Sequence, residues 1–106
     1  MNPQPNYFDF IKNGTKRIEL RLYDEKRRQI RLGDTIEFTK SESEKFEAKV
    51  VGLLRYRTFS ELFEDFDVSV LADESMTKQE LLDVLSEFYT LEKQIEFGVI
   101  GIRLKL

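Results

Sequence analysis

The chain of 106 residues contains neither cysteine nor histidine. Without cysteine there can be no disulfide, no thiolate nucleophile and no thiolate metal site. Without histidine, the usual general base near neutral pH and the commonest metal ligand are also missing, so no metal or other cofactor is expected. Any chemistry must come from Lys, Arg, Asp, Glu, Ser, Thr or Tyr. Long apolar runs are absent too, since charges interrupt each one well short of the ~20 residues that cross a bilayer. The first residues lack a charged region followed by an apolar core. A soluble, cytoplasmic protein with no membrane partner is the expectation.

What is present fits one domain, 1–106, long enough for a single modest core. The net charge of −3 argues against a protein that coats nucleic acid by bulk electrostatics, but the charge is uneven. Between Lys16 and Arg31, seven basic residues stand against three acidic ones, a local +4. From Glu61 to Glu74 six acids meet no Lys or Arg. Such a molecule would hold a phosphate-bearing ligand at one end and repel it from the other; two solvated charged faces would give the same pattern.

Punctuation sets the coarse structure. Asn2-Pro3, or Pro5, can open a short helix carrying Tyr7, Phe8 and Ile11, closed by a left-handed cap at Asn13-Gly14. Ile18, Leu20 and Leu22 alternate with polar neighbours, which predicts a strand. A polar connection with a possible helical turn leads through Leu32-Gly33-Asp34 to a strand over 35–39, a hairpin loop over 41–45, and a long strand over 46–57. Gly52 inside that strand suggests a bulge. Thr58-x-x-Glu61 and Thr77-x-x-Glu80 have capping-box spacing and predict two helices, the first packing through Phe59, Leu62 and Phe63 and the second through Leu81, Leu85 and Phe88. A last strand is expected over 97–106, with Gly98 and Gly101 allowing close backbone approach.

The most specific pattern is Gly14-Thr-Lys16-Arg-Ile-Glu19-Leu-Arg21, followed by a basic run and by Leu32-Gly-Asp-Thr-Ile-Glu-Phe38. Together with Tyr7 to Ile11 before it and Phe97 to Ile102 near the end, it resembles the ASCH family, whose members have a PUA-like barrel. The resemblance implies an α+β fold: a small mixed or antiparallel β-barrel of five or six strands with two or three short helices. It also implies a cleft used for RNA or nucleosides. Related chains place a short strand before the first helix; here it would be absent or reduced to a residue or two, and an unpaired edge of that kind offers a route to a homodimer.

In a strand, Glu19 and Arg21 share a face and form an acceptor beside a rigid donor fork, a pairing suited to a base edge and a phosphate, although an ordinary surface pair would look the same. By strict alternation Lys16 lies on the opposite face, and it joins them only if it precedes the regular strand or a bulge re-aims it. Lys26, Arg27, Arg28 and Arg31, with Arg55 and Arg57 flanking Tyr56, offer phosphate contacts. Tyr7, Tyr23 and Tyr56 are candidate stacking platforms.

One branch of PUA-like relatives removes the acyl group from acetylated cytidine with a Lys, a Thr three positions later and a Glu before a helix. Resemblance to it implies Lys16 and Glu74 as catalytic, with Glu19 standing where the Thr would be. A carboxylate there would activate water instead of attacking, and Thr15 is a poorly spaced substitute nucleophile. The resulting reading is an RNA- or modified-nucleoside-binding domain. The alternatives are an amidohydrolase or other RNA-processing hydrolase, and a protein–protein adaptor using the acidic stretch.

Overall fold

In the computed structural model, which describes residues 1, 5–72 and 76–106, the alternation at 18–22 becomes the first strand, β1 (Ile18–Leu22). It is followed by β2 (Thr35–Thr39), β3 (Lys45–Tyr56) and β4 (Val99–Lys105), joined antiparallel in the order β1-β4-β3-β2. The result is an α+β fold whose sheet curls into half a barrel. Its register slips between Val50 and Gly52, leaving Val51 unpaired in a bulge, as Gly52 suggested. The extra residue keeps Ala48, Val50 and then Leu53 on one face while the strand bends.

Four strands are present among the described residues where five or six were expected. Met1 lies on the β2 edge, its ammonium donating to the Glu37 carbonyl at 2.5 Å while its own carbonyl accepts from Thr39 N–H at 2.9 Å. That is the bonding pattern of a single parallel pair on the β2 edge.

The helices are more numerous than the two or three anticipated. After α1 (Pro5–Lys12), Gly14 takes φ 85°, the left-handed conformation its sequence suggested. A 3-10 turn occupies Arg27–Gln29. Thr58 caps α2 (Phe59–Asp65) by accepting from Glu61 N–H, and Thr77 with Glu80 forms a complete capping box on α4 (Lys78–Phe88). The additional helices are short: α3 (Val68–Leu71), capped by Asp67, and α5 (Leu91–Phe97), capped by Thr90. Phe97, read as the start of the last strand, instead ends α5. The chain breaks at Gly98, where φ is 76°, and β4 begins at Val99.

The sheet has a core on each face. Ile18, Leu20 and Val99 pack under Phe59, Leu62, Phe63, Leu71 and Leu81 of α2 to α4. On the other face Phe8 and Ile11 of α1 meet Phe38, Val50, Ile100 and Ile102. The buried Gln94 side chain fastens α5 to α2 by accepting from Phe59 N–H at 3.0 Å. Phe88 was expected in the core and is 57% exposed. Leu81 and Leu85 take the sheet-facing positions, and the last turn of α4 overhangs a cleft beside β1.

Candidate functional site

β1 is an edge strand. Its bonds to β4 run through odd-numbered residues, with Tyr23 N–H donating to Gly98 and Arg17 accepting from Leu104. Backbone groups of residues 18, 20 and 22 therefore point away from β4. Side chains cover two of them: the Lys16 ammonium donates to the Ile18 carbonyl at 2.7 Å, and the Glu19 carboxylate accepts from Leu20 N–H at 3.0 Å. Lys16 also donates to the carbonyl of Leu71, at the end of α3. It can do so because the chain after Gly14 is not yet a strand; its own N–H donates to Phe10, and that of Arg17 to Val70. Strand alternation thus places no constraint on Lys16, and it lies beside Glu19.

Lys16 and Glu19 are 3% and 4% exposed. Lys16 Nζ stands 3.8 Å from Glu19 Oε1, and Arg21 Nη2 stands 3.6 Å from Glu19 Oε2. Burial drives the Lys16 ammonium down to about 8; Glu19 opposes that shift and Arg21 adds to it. Burial, with Glu19 nearby, raises the Tyr7 phenol. Glu19 Oε2 and Arg21 Nε are both buried without a hydrogen-bond partner.

These groups line a cavity of about 160 Å³ between α1, β1 and α4. Tyr7 forms one side, with Lys16 Nζ 5.5 Å from its ring centroid, and Leu81, Val84, Leu85 and Phe88 form the apolar wall. The cleft thus joins a strand read as polar to a helical stripe read as core. Tyr7 was legible as an aromatic near the motif; the part played by Val84 and Phe88 was not, because helical periodicity does not say which turn of a helix overhangs an opening.

The remaining site residues divide. Arg27 is held by Asp24, which accepts from both its N–H and its guanidinium at 3.1 Å. Arg57 pairs with Glu61 at 3.0 Å, and the Tyr56 hydroxyl donates to Asp65, raising its phenol pKa. Tyr56 packs its ring against the first core cluster. Tyr23, just beyond the end of β1, packs against the second cluster, with the guanidinium carbons of Arg28 and Arg55 over its ring at 4.6 and 4.2 Å. Lys26 and Arg31 are exposed. Arg21 and then Lys26 lower the Met1 ammonium pKa after burial has done so, which puts both charges at this end of the molecule. Thr15 is exposed and is not among the residues lining the cleft. Glu74 lies outside the described residues.

Among the described residues, no group of three or more carboxylates is placed to hold a metal ion, and no helix is long and apolar enough to cross a membrane.

A family model for the ASCH domain matches residues 1–105. The chain belongs to the ASCH family. This ASCH domain is similar to hypothetical protein PH0355, whose crystal structure superposes with a TM-score of 0.88 at 38% identity, covering 99% of this chain and 94% of that one. It is also similar to protein PF0455 from Pyrococcus furiosus, whose solution NMR structure gives a TM-score of 0.80 at 35% identity, covering 99% and 93%. No curated protein matches it. The small PUA-like architecture of the ASCH domain is shared across nearly the full length of these relatives.

Proposed function

We propose that this ASCH domain recognises a nucleobase, of RNA or of a modified nucleoside, in the cleft of Lys16, Glu19 and Arg21. One observation carries the reading: Glu19 Oε2 and Arg21 Nε are an acceptor and a donor, both buried and both without a hydrogen-bond partner, on two residues that line one cavity. Leaving such groups unmatched costs about 1–3 kcal/mol each. A planar edge that presents a donor beside an acceptor satisfies both, and nucleobase edges have that form. Tyr7 and the wall of α4 offer the flat and apolar contacts that hold a ring in place. Titration of the labelled protein with the four ribonucleosides and acetylated cytidine, followed through the Tyr7 ring and Arg21 Nε signals, tests this. At least one nucleoside should shift both, and Arg21→Ala should weaken that binding at least tenfold. If neither the nucleosides nor a short single-stranded RNA moved those signals, the reading would fail.

A second reading, hydrolysis of an acylated cytidine, is favoured by the lowered pKa of Lys16 beside Glu19. A neutral Lys16 amine keeps two N–H groups for the carbonyls of Ile18 and Leu71 and retains a lone pair. Water would add to the amide carbonyl carbon and give a proton to Lys16 or Glu19. The C–N bond would then break, releasing acetate and cytidine, with Arg21 near the oxyanion and Glu74 as a further proton-transfer group. Proton NMR of acetylated cytidine mixed with the protein decides it: free acetate with wild type and none with Lys16→Ala supports hydrolysis, and no acetate with wild type removes it.

A further inference from the structure

We propose that Tyr23 is a mount for a two-arginine phosphodiester clamp, formed by Arg28 and Arg55, which makes the ligand of this ASCH domain a single-stranded oligonucleotide and not a free nucleoside. The inference rests on the cleft reading above, which it extends to the neighbouring backbone.

Of the basic residues around the site, two are already paired: Arg27 with Asp24 and Arg57 with Glu61. Arg28 and Arg55 are different. Among the described residues neither has a carboxylate within ion-pair distance, yet both guanidinium carbons are brought over one ring, from segments far apart in sequence. Stacking on Tyr23 fixes the planes of two otherwise long and mobile side chains. Two like charges held at one ring repel each other, and an anion between them turns that cost into attraction. The guanidinium fork matches phosphate oxygens in pairs.

Position ties the clamp to the cleft. Tyr23 is two residues beyond Arg21, just past the end of the strand, a step of about 7 Å. A base seated against Glu19 and Arg21 therefore has its sugar-phosphate chain within reach of Arg28 and Arg55. From Tyr23 a groove of about 400 Å³ continues past Arg55, Tyr56, Arg57, Phe97 and Gly98. With its ring occupied by guanidinium groups, Tyr23 acts as the positioning residue of a phosphate site and not as the base-stacking platform its sequence position suggested.

The test measures binding of a fluorescein-labelled single-stranded RNA hexamer of mixed sequence across a salt series, alongside nucleoside titrations of the same variants. Arg28→Gln and Arg55→Gln should each weaken hexamer binding about three- to tenfold and reduce the slope of log K against log salt by about 0.7. Arg28→Lys should keep the slope, and Tyr23→Leu should weaken binding although no charge changes. Nucleoside shifts at Tyr7 should stay as in wild type in all four. Unchanged slopes with intact nucleoside shifts, or no hexamer binding by wild type, would overturn the clamp alone. Reduced slopes in a protein whose Tyr7 and Arg21 signals ignore every nucleoside would support the clamp and remove the cleft reading. An equal loss of nucleoside binding in the Arg28 and Arg55 variants would overturn the division of labour between the two sites.

Discussion

The ammonium of Lys16 donates to the carbonyl of Leu71, 55 positions further along the chain, and so ties the start of β1 to the end of α3. The same nitrogen faces Glu19 and the cleft. Lys16 is therefore a structural group and a site group at once, and its variants must be read by stability and by function together.

Replacing Lys16 by Met should destabilise the fold by roughly 2–4 kcal/mol, since it strands the Ile18 and Leu71 carbonyls and leaves Glu19 buried beside one cation fewer. Urea denaturation at pH 7 measures it. A loss under 1 kcal/mol would mean that water replaces the ammonium without cost.

The pH dependence of stability follows from the same residue. Its pKa is about 8 folded and 10.5 unfolded, so between those values the unfolded chain holds the proton that the folded chain has released. Stability should then rise with pH across that window, by up to roughly 3 kcal/mol for the full shift. Below pH 8 the ammonium is charged in both states and the slope from this group vanishes. The gain between pH 8 and 10 should be present in wild type and missing from Lys16→Gln in paired denaturation curves; parallel curves would show that Lys16 titrates at its ordinary value.

Two positions on α4 that line the cleft should differ in their effect on stability. Leu81 is buried in the first core, and Leu81→Ala should cost about 2–5 kcal/mol. Phe88 is mostly exposed at the cleft rim, so Phe88→Ala should leave stability within about 0.5 kcal/mol while weakening nucleoside binding. Thermal melts and the nucleoside titration, run on both variants, give the comparison. A large melting-temperature drop for Phe88→Ala would return that residue to the core.

Gly101 lies where β4 passes beneath α2. A Cβ there would sit 3.0 Å from Ile18 Cγ2 and 3.2 Å from Leu62 Cδ1. Gly101→Ala should therefore cost about 1–3 kcal/mol by overpacking, visible as a lowered urea midpoint with an unchanged slope.

Much of this was readable in the chain. The alternation of Ile18, Leu20 and Leu22, the caps at Thr58 and Thr77, and the glycine at 52 each act through a few neighbouring residues, and each produced its element where expected. Phe97 shows where local reasoning stops: apolar residues on both sides of Gly98 look like one strand, and only the φ of 76° at that glycine, with Thr90 capping upstream, divides them into helix and strand. The site was partly legible in the same way. Glu19 and Arg21 follow from strand period, but the partners that neutralise Arg27 and Arg57, or gather Arg28 and Arg55 on Tyr23, depend on how loops and strands meet in space. A run of basic residues carries no mark of which member has an acid beside it.

In β1, the odd positions Glu19 and Arg21 face one way, and Ile18, Leu20 and Leu22 face the other. Conservative exchange within either set leaves the arrangement standing. Loss of a single residue would not: it would turn the charged row under α2 and α3 and send the aliphatic row into the opening. This short strand should therefore accept changes of spelling far more readily than any change of length.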